Sequence, residues 1–414
     1  MAAKKIEKIR PTAERYFADL ALLSISTPQD NPADPKCRWG MPTIFWGGSG
    51  IGKSDQIKQA GARANLHVEV LMPGQQQPEN FSGVLIPNPN SPEGVSIQCL
   101  LPAVRRLNRL GKGILFIDEA SNAPPATQGA MLGMLQDRVV GDTEMEPLIR
   151  VLLAANPPEI AAGGFGLEPP TANRMEHIFV GAPSWEAWNH WFMSKSQPIK
   201  MTGTAVEPII IQAWPTVYPI VQGLISGFLY KHRARMCCQP AAGDPNGGFA
   251  WESPRSWDNV SKVMAARRAM KLPEELDDIA IAGLIGEGSM EEFSTYRREA
   301  DLPGPDEVLA GKWRHDKKRI DKTHVVLGTL VPYVGMKPEG QQRFEVAVKV
   351  WQVLDQICDD GAADLVVDSM TILINQYQLG MMNKVPNDVK LAAEKVIKRM
   401  SRSVMAQFVG SPSP

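Results

Sequence analysis

Gly47-Gly48-Ser49-Gly50-Ile51-Gly52-Lys53-Ser54 fits the pattern G-x-x-x-x-G-K-[ST] at every fixed position. Its left flank, Pro42-Thr43-Ile44-Phe45-Trp46, is short and apolar, as a buried parallel strand is. Its right flank, 55–64, holds no proline and one glycine, Gly61, and is compatible with a helix. The octet therefore sits between a strand and a helix. Glycines let the backbone fold around an anion and aim its amides inward. The helix N-terminus adds positive potential for phosphate. In such a loop Lys53 reaches the β- and γ-phosphates of a nucleotide and Ser54 holds Mg²⁺.

Outward from the octet, short apolar runs alternate with helical stretches. Residues 44–46, 67–71, 114–117, 151–154 and 177–180 read as five strands, with helices such as 101–110 and 126–136 between them. This alternation predicts an α/β fold, a parallel sheet covered on both faces. The run Ile114-Leu115-Phe116-Ile117-Asp118-Glu119 ends in two adjacent carboxylates. In open α/β sheets the ligand lies beyond the carboxyl ends of the strands. Asp118 would then face the phosphates and help hold Mg²⁺, and Glu119 would polarise an attacking water. Asn156 follows the fourth strand, where it either contacts the γ-phosphate region or opens the turn before Pro157-Pro158. Residues 138–146 read as a hairpin turning at Gly141-Asp142, or as a plain loop.

Composition sets the bounds. At 414 residues the chain is long enough for two or three domains. A net charge of −1 gives no global field toward nucleic acid or anionic membrane. The five cysteines (Cys37, Cys99, Cys237, Cys238, Cys358) form no CxxC or Cys/His cluster, which argues against a zinc site or disulfide framework and for the reduced thiols of a cytoplasmic protein. His190, beside Trp188 and Trp191, reads as a packed or surface histidine. The stretch 208–230 is uncharged and long enough to span a bilayer, but Pro208, Pro215 and Pro219 favour a helix buried in a soluble domain. Residues 1–36 read as a linker with one helix at 12–23. The basic run 312–322 reads as a solvated face or a partner surface.

These pieces, in this order, resemble the AAA+ ATPases. Glu79-Asn80-Phe81-Ser82-Gly83 and the stretch from Leu167-Glu168 to His177 further resemble the MoxR branch, over about residues 40–265 and most sharply 44–180. The resemblance implies a P-loop αβα core with a parallel five-stranded sheet (37–183) after the N-terminal linker (1–36). An all-helical lid (184–302) and a helical C-terminal region (303–414) follow. It implies Gly47 to Ser54 and Asp118 as the Mg-ATP cradle, with Ser54 and Asp118 as metal ligands. Glu119 and Asn156 become catalytic residues, Asn156 as the first sensor. Arg174, in Asn173-Arg174-Met175-Glu176-His177, matches the arginine finger that acts on a neighbour's nucleotide, with Arg138 and Arg150 as competing candidates. Arg255, in Ser253-Pro254-Arg255-Ser256-Trp257, resembles the second sensor, reporting the γ-phosphate to the lid.

The implied function is ATP hydrolysis by a homo-hexameric ring that remodels or activates a separate partner protein, one class of which bears a von Willebrand A domain. Two alternatives remain: a nucleotide-gated scaffold with little turnover, and a nucleic-acid motor. Against the motor, no basic domain, zinc finger or helix-turn-helix is evident.

Overall fold

The structure, a computed structural model, describes residues 16–90, 95–98, 101–158, 165–184, 203, 205–241, 244–299, 303–380 and 385–399. In chain order its strands are β1 (Thr43–Trp46), β2 (Val68–Leu71), β3 (Val84–Pro87), β4 (Val95–Gln98), β5 (Lys112–Ile117), β6 (Val139–Val140), β7 (Thr143–Glu144), β8 (Leu148–Ala155) and β9 (Glu176–Phe179). A five-stranded parallel sheet runs in the order β2-β5-β8-β1-β9. Its central strands are apolar because both faces are covered. Ile114, Leu115, Phe116 and Ile117 are all fully buried. Two antiparallel hairpins, β3–β4 and β6–β7, stand outside this sheet. The second turns at Gly141-Asp142, as the hairpin reading of 138–146 required; Gly141 has φ 64°, a conformation glycine favours.

The helices accompanying the sheet are α1 (Phe17–Ser26), α2 (Lys53–Arg63), α3 (Pro78–Ser82), α4 (Pro102–Leu110), α5 (Pro125–Gln136) and α6 (Pro169–Ala172). Beyond them come α7 (Glu207–Lys231), α8 (Pro254–Met270), α9 (Glu275–Ile285), α10 (Glu287–Glu299), α11 (Pro305–Leu309), α12 (Ile320–Met336), α13 (Gln341–Asp359), α14 (Val367–Thr371) and α15 (Asn387–Arg399).

The chain divides into two compact units. One is drawn from Met1–Gln212 and Arg235–Glu292, the other from Ala213–Ala234 and Phe293–Pro414. This corrects the expected division in two places. The linker reading of 1–36 fails for α1, which is core: Leu20, Leu23 and Ile25 are buried, and the Phe17 ring lies 4.8 Å from that of Phe45 in β1. The 12–15 part of the expected helix lies outside the described residues. Helices α8 and α9, expected in a separate lid, fall in the same unit as the sheet. Gly283 in α9 approaches β9 so closely that a Cβ there would meet the His177 carbonyl at 2.4 Å. The boundary expected at 183–200 lies mostly outside the described residues, as do His190 and Cys99.

In the second unit, α12, α13 and α15 enclose a core around Trp351, whose indole N–H donates to the Leu379 carbonyl at 3.1 Å. The helix α7 continues through Pro215 and Pro219, although each lacks an amide for the helical ladder. By length and composition α7 is long and apolar enough to cross a membrane. The 312–322 run is largely exposed loop leading into α12. Cys37, Cys237, Cys238 and Cys358 are in no disulfide, and no metal-binding cluster of His, Cys, Asp or Glu occurs among the described residues.

Glu176 opens β9 and is fully buried, with no cation partner among the described residues. The hydroxyls of Thr43 (2.8 Å) and Ser24 (3.2 Å) face its Oε2. Each hydroxyl has one hydrogen, and each has a backbone carbonyl as second acceptor: Met41 at 3.0 Å, Leu20 at 2.9 Å. Burial pushes its carboxyl up to about 7 from 4.5, although the two hydroxyls donating to it pull the other way. The folded state thus holds a proton that the unfolded chain releases above its lower pKa. Stability from this group is full below pH 4.5 and is lost as pH rises to about 7. Glu176→Gln should therefore flatten that slope and gain about 3 kcal/mol over the parent at pH 8. Urea midpoints of parent and variant between pH 5 and pH 8 check this; parallel curves would contradict it.

Candidate functional site

The octet lies where β1 ends. Gly47 N–H donates to Ala155 O at 3.1 Å, and Trp46 O accepts from Val180 N–H at 2.7 Å, so the sheet grips the loop's first residue from both sides. A Cβ on Gly47 would meet Ile51 Cδ1 at 2.6 Å and Val180 O at 2.8 Å, so only glycine fits there. Gly50 and Gly52 have φ of 76° and 90°, and Gly52 caps α2.

Lys53 opens α2 and is buried. Its ammonium donates to Gly47 O and Gly48 O, each at 2.8 Å, and to Asn156 Oδ1 at 3.2 Å. Desolvation lowers its pKa, partly offset by the charges of Asp118 and Glu119. Ser54 Oγ donates to Asp118 Oδ2 at 2.7 Å. Asp118 follows β5, and its N–H extends the ladder to Leu71 O at 2.9 Å, which places its carboxylate at the strand's carboxyl end. Asn156 follows β8 and bridges two parts of the loop, its Nδ2 donating to Ser49 Oγ at 3.1 Å. Ser49 to Ser54, Asp118, Glu119 and Asn156 thus border one cavity of about 460 Å³.

Glu119 is exposed to this cavity in a left-handed backbone conformation, φ 56°. Such strain persists where the surroundings impose it. Two bonds do so here: Glu119 N–H donates to Asp118 Oδ1 at 3.0 Å, and Asn122 Nδ2 donates to Glu119 Oε2 at 3.0 Å. Asn122 escaped the sequence reading, although a carboxamide three residues past an acidic pair is a visible signal.

The arginines separate sharply. Arg150 is fully buried in β8, donating to Ile25 O at 3.1 Å and pairing with Glu207. Arg138 is buried with Nη2 on Gly40 O at 2.9 Å, and burial with Arg38 and Arg150 nearby pushes its pKa down to about 9. Neither can reach another molecule, which removes both as alternatives to Arg174. Arg174 is half-buried on the turn after α6, with Nε on Gln136 Oε1 at 2.5 Å and a further bond to Pro170 O. Partial burial, then the charge of Arg255, hold its pKa below the usual arginine value.

Arg255 is exposed in the first turn of α8 and does not line the 460 Å³ cavity. The start of α8 is bonded to the Arg174 turn through Asn173 and Ser253, and the charge of Arg255 acts on that of Arg174. His177 is structural. Its Nδ1 accepts from Trp46 Nε1 at 3.0 Å and its Nε2 faces Ala172 O at 2.9 Å, and burial pushes its pKa down to about 4.

Residues 42–175 match the family model of the AAA domain, dynein-related subfamily. The matched stretch contains the octet, the Asp118-Glu119 pair, Asn156 and Arg174, while Arg255 lies beyond it. A crystal structure of a candidate ATPase from Cytophaga hutchinsonii aligns with a TM-score of 0.41 at 14% identity, over 70% of this chain and 96% of that one. No curated protein sequence matches the chain.

The burial difference among the arginines has a measurable result. Arg150→Ala strands the Glu207 carboxylate and should cost about 3–5 kcal/mol. Arg174→Ala should change stability by no more than about 0.5 kcal/mol. Denaturant unfolding of both variants compares them directly; equal losses would contradict the structural assignment of Arg150.

Proposed function

We propose that this chain hydrolyses Mg-ATP as a subunit of a closed ring, of six by family resemblance, and uses the cycle to remodel or activate a separate partner protein. The observation that carries the reading is the environment of Lys53: a buried ammonium whose hydrogen-bond partners are all neutral oxygens, at the edge of a cavity that also gathers Ser54, Asp118 and Glu119. A desolvated ammonium that bonds no carboxylate, with the charges of Asp118 and Glu119 offsetting its desolvation only in part, favours an anionic ligand. The Ser54 hydroxyl and the Asp118 carboxylate, 2.7 Å apart, are hard oxygen donors and fit Mg²⁺. Bound there, the ion would neutralise charge on the phosphoryl oxygens.

The chain's own groups have separable tasks in this reading. Loop amides and the α2 N-terminus bind the β-phosphate region. Lys53 neutralises charge at the bridging and γ-oxygens. Asn156, fixed at both ends by Lys53 and Ser49, holds an attacking water or a γ-oxygen. Glu119, its carboxylate held by Asn122, accepts the proton that water gives up. Arg174 and Arg255 lie away from their own subunit's cavity and are read as serving the cavity of the next subunit. A partner bearing a von Willebrand A domain and a cytoplasmic setting belong to this reading by resemblance.

Two experiments test it. Glu119→Gln should bind ATP within about two-fold of the parent while turnover drops by ~10²–10⁴, the usual contribution of a positioned base; unchanged steady-state ATPase would remove Glu119 from the mechanism. A parent protein that binds ATP but never hydrolyses it, with or without a partner, would instead be a nucleotide-gated scaffold. Arg174→Ala should retain ATP binding and lose turnover by ~10³ or more. Mixed with Lys53→Ala subunits, which keep the arginine, it should regain part of that activity. Intact mixed assemblies with no recovery would count against an arginine donated between subunits.

A further inference from the structure

Asn173 and Ser253 are buried, eighty residues apart in sequence, and joined side chain to side chain. Ser253 Oγ donates its one hydrogen to Asn173 Oδ1 at 2.9 Å and accepts from Ser256 N–H at 3.1 Å. Asn173 Nδ2 donates to Trp251 O at 3.3 Å. The Ser256 hydroxyl accepts from Ser253 N–H at 2.7 Å and donates to Trp251 O at 2.9 Å. Each donor atom in this network meets an acceptor. Turning the carboxamide over would set its oxygen against the Trp251 carbonyl, so one orientation is imposed.

The network has a specific position. Asn173 immediately precedes Arg174, and Ser253 is the N-cap of α8, two residues before Arg255. The charge of Arg255 disfavours that of Arg174. Two like charges drift apart unless the backbone holds them, or an anion joins them. We propose that Asn173 and Ser253 are positioning residues that hold the Arg174 turn and the α8 N-terminus in register, so that both guanidinium groups meet one anion, the terminal phosphate in the next subunit's cavity. This rests on the proposed function above. Neither residue lines its own subunit's cavity, so loss of the bond acts on the donated arginines and not on nucleotide affinity.

Asn173→Ala tests the role in ATPase assays on full-length assemblies. ATP affinity and KM should stay within about two-fold of the parent. A displacement of about 1 Å costs on the order of 10² in rate, so kcat should fall by that factor. Mixing with Lys53→Ala subunits should restore part of it. Ser253→Ala should behave alike, and Ser253→Thr, which keeps the hydroxyl, should restore turnover. The inference is overturned if kcat is unchanged, if KM and kcat fail together, if mixing gives no recovery where Arg174→Ala recovers, or if both alanine variants unfold. Should Arg174→Ala itself retain full turnover, the proposed function fails instead.

Discussion

A lysine ammonium withdrawn from water, bonded to two peptide carbonyls and an amide oxygen, is the constraint around which this molecule is arranged. Those oxygens come from three different parts of the chain: the end of β1, the loop, and the residue after β8. They converge because β1 and β8 pair in parallel and register Trp46 against Ala155, which brings Asn156 alongside the loop. The sheet order, with β5 beside β8 and β8 beside β1, then delivers Asp118 to the hydroxyl of Ser54. A displaced strand order would leave a desolvated charge with nothing to answer it, which is among the costlier defects a fold can carry.

Charge burial also sorts residues that look alike in sequence. Arg138, Arg150 and Arg174 lie within a short span, and each could serve as an external cation on paper. Arg150 is instead tied to α1 through Ile25 and to Glu207, and Arg138 is tied to the segment before β1 through Gly40. Both hold elements of the first unit against one another. Arg174 alone among the three sits on a turn with part of its guanidinium outward.

The loop and the acidic pair were legible in the sequence because their requirements are local. Gly50 and Gly52 occupy backbone conformations other residues avoid, and an apolar strand ending in Asp118-Glu119 fixes direction as well as place. The parallel sheet followed from strand–helix alternation for the same reason. The β3–β4 hairpin was not legible: Val84, Leu85, Val95 and Ile97 are exposed, so no buried face imprints a period on it. The company kept by Arg255 was hidden too, since it depends on Asn173 meeting Ser253 across eighty residues of chain. The role of α1 was misjudged because the prolines after it suggest a linker, whereas its burial is set by Phe45 and by α2 beneath it.

Trp46 ends the strand that feeds the loop, and its indole is bonded to a neutral His177 and enclosed by Phe179 and Phe249. With Gly47 gripped on both sides and Lys53 already helical, the freedom that must be surrendered around an anion is confined to Gly48 through Gly52. Ordering a residue's backbone costs roughly 1–2 kcal/mol in conformational entropy. Preassembly of both ends limits that toll to five residues, three of them glycines, and leaves the remainder of the attraction available as affinity.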